Sequence, residues 1–484
     1  MNARRLPLSA GLKGRIPKAI YGVAILLALS GCATFDPQAG FSDVRDTVQT
    51  RSNLRVAWNQ GTELDAQVAQ EVRERLAKDL TADTAVQIAL LNNRELQAMY
   101  ASMGVAQADL VQAGLLENPV FDFEAIFPLA GGDPDMEFDI AMGFLNLFYM
   151  PLRQRVAGAR FEAAKLQVTG AVLDFAATVR ATFYRHQANA QMQELQQSIT
   201  QGLTVALEVA QRLHDAGNIT DLDLARQRAT AEEARLQLAT AEMAVAQSHE
   251  ALNTLMGLWG EDTAWKVETR LPPLPDQPVS VTDVERLALQ NSLDLASARQ
   301  QMIVAGEQLG LTKAVALVPH AEIGAVAEHK EGEWEGVGPR IEFPIPLFDQ
   351  GQAQVGRNAV ELRQAQQAYY ALAIRIRSTA RTVRHRLQGA RARVDFYRDI
   401  MLPLRERIVN ETQLHYNAMQ LGVFDLLQAQ ERQIQAAATY IESLLTYWLA
   451  RTDLDHLLSG RLPSGGGTQV SLVRPTGSDN SGGH

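Results

Sequence analysis

The amino-acid sequence predicts an α+β membrane protein, internally duplicated, in which very long helices carry two pairs of short amphipathic strands. Its sheet is completed only by oligomerisation. Three observations lead there: a repeat of subdomain size, helical periodicity sustained well beyond ordinary helix length, and period-two segments near the length that crosses a bilayer.

The repeat comes first, because missing one misreads the whole fold. Ile88-Ala-Leu-Leu-Asn-Asn-Arg-Glu-Leu96 is echoed by Leu287-Ala-Leu-Gln-Asn-Ser-Leu-Asp-Leu295, and Thr220-Asp-Leu-Asp-Leu-Ala225 by Val423-Phe-Asp-Leu-Leu-Gln428. Leu255-Met-Gly257 and Leu458-Ser-Gly460 close the two copies. The unit is far longer than the ~20–50 residues of solenoid repeats, so a whole subdomain has been copied. The chain then divides into a signal segment (1–31), a polar lead-in (32–79), a first repeat (80–270), a connector (271–281), a second repeat (282–460) and a tail (461–484). Proline makes the connector Leu271-Pro-Pro-Leu-Pro-Asp-Gln-Pro278 semi-rigid. Gly and Ser make the tail one that is expected to be disordered.

The N-terminus reads as an address. Arg4, Arg5, Lys13, Arg15 and Lys18 precede a short apolar core at 19–29 that is too short to span a bilayer. It ends in Leu29-Ser-Gly-Cys32, which resembles the lipobox of bacterial lipoproteins, in which the cysteine is acylated and becomes the mature N-terminus. Cys32 is the only cysteine, so an internal disulfide and a cysteine-based metal site are excluded. Ala33, in place of an aspartate, favours onward sorting to the outer membrane by the same resemblance. An acyl anchor attaches a chain without spanning.

No later stretch is apolar for long enough to form a transmembrane helix. The net charge is −10 with Lys and Arg dispersed, which argues against a nucleic-acid partner. In the second repeat Ile376, Ala380, Val383, Leu387, Ala390, Val394, Tyr397, Met401, Leu404 and Ile408 step by four and three, a coiled-coil seam. Pro403 should kink it. Long helices are expected at about 152–216 and 351–420, each ~100 Å at 1.5 Å per residue. Shorter ones of ~55 Å are expected at 82–116, 221–257, 282–318 and 424–459. Two short helices end to end match one long helix, which describes a layered tube of helices.

The strand-like segments decide the class. Phe121, Phe123, Ala125 and Phe127 alternate with Asp122, Glu124 and Ile126; Phe138, Ile140, Met142 and Phe144 alternate with Glu137, Asp139, Ala141 and Gly143. In the second repeat Ala321, Ile323, Ala325 and Ala327 alternate with Glu322, Gly324 and Val326, and Ile341 and Phe343 with Arg340 and Glu342. Turn residues Gly131-Gly-Asp-Pro134 and Glu331-Gly-Glu-Trp-Glu-Gly336 make each pair a hairpin. Two readings stand: hairpins packed on a soluble core, or tilted transmembrane strands, which need ~9–11 residues. The lipobox and the helix lengths favour the second. Bacterial membrane barrels have at least about eight strands, and an open edge is not viable in lipid, so four strands require oligomerisation.

Together these features resemble the TolC family of outer-membrane efflux channels, in its lipid-anchored (NodT-like) branch. The resemblance covers about 80–460. It is carried most specifically by Pro346-Leu-Phe-Asp-Gln-Gly351, where a strand ends and a long helix starts, and by Gly422-Val-Phe-Asp-Leu-Leu-Gln-Ala-Gln430 after the helical turn. Pro151-Leu-Arg-Gln-Arg155 at the first corner departs from that pattern. The resemblance implies a homotrimer with a twelve-stranded barrel and a helical tunnel through the periplasm. It implies a periplasmic adaptor and an inner-membrane pump as partners, outer-membrane lipid around the barrel, and no cofactor. The implied function is a passive exit duct for small molecules or metal ions. A protein-secretion duct and a non-pore coiled-coil lipoprotein are the alternatives.

No catalytic motif is present in the sequence: no nucleophile elbow, phosphate loop or His-Glu-x-x-His. His320 and His329 near Glu322 and Glu331 are a metal candidate, weighed against a solvated surface. Met136 and Met142 are packing or lipid-facing residues rather than a copper relay. The site residues are therefore mechanical and electrostatic. Cys32 is the lipidation site. Asp425 matches the family position that rings the periplasmic aperture, and equally fits an N-terminal helix acid. Asp221 and Asp223 fit capping. Gly217, Asn218, Gly422 and Val423 lie in the turns expected to meet the adaptor, the two glycines supplying positive φ. Asp122, Glu124, Glu137, Asp139, Arg340 and Glu342 are assigned to the barrel lumen. Phe121, Phe123, Phe138, Ile140, Phe144, Ile341 and Phe343 are assigned to its lipid face.

Overall fold

The computed structural model describes residues 35, 36, 38–129, 132–278, 282–318, 320–330 and 333–463. Cys32, the signal segment and the tail from 464 onward lie outside the described residues. Every element below belongs to the unit Pro37–His484.

The polar lead-in contains two helices, α1 (Phe41–Ser52) and α2 (Glu63–Leu76). Val44 and Val48, four residues apart, are fully buried against the core. The reading of 32–79 as a polar lead-in misses this, because one buried stripe on a polar helix is a narrow signal.

Each repeat then begins with a helix that breaks. α3 (Ala82–Asn92) stops and α4 (Arg94–Ala113) restarts at Asn93; α7 (Val284–Gln290) stops and α8 (Leu293–Leu317) restarts at Ser292. The expected single helices 82–116 and 282–318 are each two. Asn93 takes extended dihedrals (φ −67°, ψ 127°) and its side chain accepts from the N–H groups of Glu95 and Leu96. Ser292 does the same for Leu295. A side-chain oxygen that satisfies the free N–H groups of the next helix competes with continuation of the previous one.

The breaks coincide with the echoed Asn-Asn and Asn-Ser pairs, and each docks on the end of the same repeat. α6 (Asp221–Met256) ends at Gly257, and Asn92 Nδ2 donates to the Met256 and Gly257 carbonyls at 2.9 and 2.8 Å. α11 (Val423–Leu458) ends near Gly460, and Asn291 Nδ2 donates to the Leu458 carbonyl at 3.3 Å while Leu293 N–H donates to Gly460 O at 2.8 Å. Both glycines hold positive φ, 66° and 107°. A Cβ on Gly257 would lie 2.9 Å from Asn92 O, and one on Gly460 would overlap Asn291 O. The repeat is thus a clamp made twice, in which the helix end carbonyls left free by termination are satisfied by asparagine. Arg51 on α1 adds a bond to Ser459 O at 2.9 Å in the second clamp.

Between break and clamp run the strands and the long helices. α5 (Leu145–Asp215) has 71 residues, ~107 Å by helix rise. It packs along α6, α8, α4 and α11. Its counterpart in the second repeat is α9 (Gln352–Phe396), a π turn at Tyr397–Met401, and α10 (Leu402–Asn417). Ile376, Ala380, Val383, Leu387, Ala390 and Val394 are buried as the seam requires. Beyond the π turn the seam fails: Leu404 and Ile408 are exposed. Leu402 N–H donates to Tyr397 O, and Pro403 has no N–H to continue the ladder. One residue of π insertion rotates α10 relative to α9 by about a helical step, ~100°. Phe396, Ile400, Leu404 and Ile408 consequently form an exposed apolar stripe at every fourth residue.

The core lies where helix breaks, clamps and connector meet. Tyr100 and Met103 of α4, Phe183 and Met192 of α5, Leu252 of α6 and Tyr447 of α11 are among its largest buried side chains. The connector is packed into it: Leu271 and Leu274 are buried, and Trp448 Nε1 donates to Pro272 O at 2.9 Å. Arg461 ties the end of the second repeat across both, bonding Asp174 of α5 at 2.9 Å and also Asp294 of α8.

Two stability experiments test these contacts. Gly460→Ala should lower stability by about 3 kcal/mol, a strained φ plus a backbone clash. Gly202→Ala, mid-helix with nothing within 4 Å of the added Cβ, should instead gain up to ~1 kcal/mol; thermal melts of the two variants read this contrast. The second concerns pH. His186 is buried with Nδ1 2.9 Å from Ser248 Oγ. Burial, and to a lesser extent neighbouring His249, pushes its pKa from 6.5 down to about 4. The unfolded chain takes up this proton first, so the contribution is complete above the unfolded value and is lost as pH falls toward the folded one. Urea midpoints should therefore show a loss of about 2 kcal/mol between pH 7 and pH 4.5, reduced in His186→Gln.

Candidate functional site

Four strands form one antiparallel sheet in the order β1-β2-β3-β4: β1 (Val120–Ile126), β2 (Asp135–Met142), β3 (Glu322–Lys330) and β4 (Glu333–Glu342). The two hairpins come from different repeats and meet through β2 and β3. Residues 130, 131, 331 and 332, at the hairpin tips, lie outside the described residues, and so does the candidate ligand Glu331. β1 and β4 are the edges, and neither has a further partner among the described residues.

The register keeps the faces apart. Phe121 pairs with Ile140 and Phe123 with Phe138; Phe138 pairs with Ala327, Ile140 with Ala325, and Ile323 with Ile341. Successive side chains alternate in direction, so these residues share one face. That face is open: Phe121, Ile140, Ile323, Val337 and Ile341 are all exposed. Phe138 is half-buried, its ring 5.0 Å from Phe123 and 5.7 Å from Trp334. Two residues assigned to this face lie off the strands. Phe144 is the residue before α5, with helical dihedrals, and Phe343 follows the last residue of β4. The alternation in the sequence outruns the ladder, because pattern records side-chain direction and not hydrogen bonding.

The opposite face sets acid against acid: Asp122 opposite Asp139, and Glu124 opposite Glu137. Like charges at paired positions repel unless they are hydrated or neutralised. Asp122, Glu124, Glu137 and Glu342 are exposed. Asp139 is not: it is 7 % exposed and bound by Arg340. It stays on the acidic face, opposite Asp122, with its charge held by Arg340. Arg340 lies opposite Gly324, and with no side chain there it reaches across β3 to Asp139 while also bonding Glu342 at 2.6 Å. Gly324 also permits close strand approach, since a Cβ there would overlap Ile140 O.

The two helical turns share a backbone and differ in sequence. In the first, Gly217 N–H donates to His214 O and Asn218 N–H to Leu213 O; in the second, Met419 N–H donates to Tyr416 O and Gln420 N–H to His415 O. Gly217 holds φ 76°. Its counterpart is Met419, at φ 58°, while Gly422 has φ −80° and caps α11. The expectation that Gly422 supplies the positive φ is therefore wrong. The required left-handed position falls on a methionine, and Gly422 replaces the capping Thr220 of the first turn. Thr220 accepts from Asp223 N–H, and His214 Nε2 bonds Asp221 Oδ1 at 2.7 Å across the turn. Asp425 is exposed and accepts from Gly422 N–H at 3.1 Å. Gly217, Asn218 and Gly422 are exposed and Val423 half-buried.

The metal candidate does not come together. His320 bonds Glu322 at 2.9 Å, whereas His329 packs on Trp334, roughly 30 Å along the strand by residue rise. No group of His, Cys, Asp and Glu suited to a metal ion occurs among the described residues, and no described helix is long and apolar enough to cross a membrane.

A sheet with one apolar and one acidic face, open at both edges among the described residues and rooted in ~100 Å helices, is the fold in which a helical tunnel continues a β-barrel completed by further copies. Residues 85–258 match the family model described as outer membrane efflux protein. The cobalt-zinc-cadmium resistance protein CzcC of Cupriavidus metallidurans is 22% identical over 388 residues, 79% of this chain and 90% of that protein. The Campylobacter jejuni CmeC outer membrane channel superposes with a TM-score of 0.63 at 16% identity, over 82% of this chain and 88% of its own. The open state of the Neisseria gonorrhoeae MtrE outer membrane channel gives 0.61 at 18%, over 78% and 88%. Over residues 85–258 the chain is similar to the outer membrane efflux proteins, and the proteins it resembles are channels and not enzymes.

Met419→Gly should remove about 1 kcal/mol of left-handed strain and slow amide exchange across the second turn. Gly217→Met should speed exchange across the first by a similar factor.

Proposed function

We propose that the protein is the outer-membrane exit duct of a tripartite efflux system, a homotrimer in which three four-stranded sheets close one barrel. The observation that carries this reading is the sheet with two free edges and an exposed apolar face: in lipid those edges must be paired, and only further copies can pair them. The exposed stripe Phe396, Ile400, Leu404 and Ile408 supplies a matching apolar face on the helices. Cys32 carries the acyl anchor. The turns at Gly217-Asn218 and Gly422-Val423 meet a periplasmic adaptor. Asp425 lines the aperture while it caps α11. An inner-membrane pump provides the energy. The acid-rich lumen face suits cationic cargo, and the likeness to a cobalt-zinc-cadmium resistance protein favours metal ions over other small molecules.

Purified protein added to planar bilayers should give discrete conductance steps, and their absence would leave a non-pore periplasmic lipoprotein. Cys32→Ser should lose palmitate labelling and still yield trimers by cross-linking; a soluble monomer would overturn the barrel reading.

A further inference from the structure

We propose that the lipid-facing band extends past the strands onto a collar at their helix-side feet. Phe144, Leu147 and Phe148 after β2, with Ile345, Leu347 and Phe348 after β4, lie among the acyl chains of the periplasmic leaflet of the outer membrane. The inference rests on the barrel reading above. All six are solvent-exposed in the protomer, from 37% at Phe144 to 92% at Phe348. β2 and β4 run the same way through the antiparallel meander, so both sets fall at one end of the sheet.

The strands alone are too short. A tilted membrane strand needs ~9–11 residues to cover an apolar band ~25 Å tall. β1 has 7 residues and β2 has 8. At ~3.3 Å per residue and a ~45° tilt, each residue adds ~2.3 Å of height, so β1 reaches only ~16 Å. On β4 the register shift opposite Glu328 and His329 returns Trp334 to the apolar face beside Phe138, so within the strand that face runs from Trp334 to Ile341, only ~16 Å. Val337, Pro339, Ile341, Phe343, Ile345 and Leu347 then carry the alternation past the last residue of β4. From Trp334 to Leu347 the height is ~28 Å, enough to cover the band.

Part of the backbone there needs no further partner. Beyond the ladder Pro344 and Pro346 have no N–H to leave unpaired. The Leu347 N–H donates to Ile345 O at 2.9 Å. On the other side Leu147 and Phe148 belong to the first turns of α5, where Asn146 N–H donates to Gly143 O at 3.3 Å and Leu147 N–H to Phe144 O at 3.2 Å. Charge marks the boundary: Glu117 pairs with Arg153 at 3.3 Å just below Phe148, and Asp349 follows Phe348.

Spin labels test this in the full chain reconstituted in phosphatidylcholine vesicles. Phe148→Cys, Ile345→Cys and Leu347→Cys are labelled singly, with Ile341→Cys as the sheet-face reference and Glu411→Cys on α10 as the aqueous one. The parent chain taken through the same labelling gives the blank for Cys32. Collision rates with oxygen and with a nickel chelate distinguish lipid from water. The expected result is an oxygen-to-nickel ratio at all three collar positions within about twofold of Ile341→Cys. A ratio like that of Glu411→Cys overturns the collar, and so does protection from both reagents, which would mean that protein covers it. A water-like Ile341→Cys would overturn the barrel reading itself.

Discussion

An unpaired backbone N–H or C=O in hydrocarbon costs several kcal/mol, and β1 and β4 each present a row of them. This constraint organises the rest of the molecule. It makes the protomer an incomplete object whose sheet can be stable in lipid only beside other copies. The face pattern then has meaning: phenylalanine and isoleucine on one side, opposed carboxylates on the other, kept in register by Gly324 and by Arg340 reaching over it. A slip of one residue would move the acids into lipid.

The helical part is held by a different device, used twice. In each repeat an asparagine at a helix break satisfies the carbonyls at a glycine-terminated helix end. The buried core gathers around these two clamps, and the connector and Arg461 tie them together. A polar helix hairpin of ~100 Å could not be fixed along its whole length by alanine-rich contacts, so rigidity is concentrated where the carbonyls and large side chains meet.

Much of this is legible in the sequence. The period-two segments mark the strands and both faces, and the seam from Ile376 to Val394 is readable residue for residue. The misses have local causes. Asn93 and Ser292 carry the cap signature, each followed by an acid two residues on, but lie inside strong helical periodicity and so read as helix interior. Leu404 and Ile408 keep the period of the seam, yet one inserted residue before Pro403 turns them outward. Gly422 looks like a turn glycine because glycine usually takes positive φ, whereas the position that needs it holds Met419. Asp139 looks like its acidic neighbours, and only the register shows that Arg340 can reach it.

The π turn has a consequence for symmetry. The two long elements are of nearly equal length, but α5 has its proline, Pro151, near its start and runs on without a π turn, whereas α9–α10 has a joint beside Pro403. In a ring of three copies the tube would be built of alternating stiff and jointed staves. Its shape at rest would approximate sixfold symmetry, while its compliance would be threefold. A load applied evenly around the rim would be taken up at three places, each supplied by the second repeat.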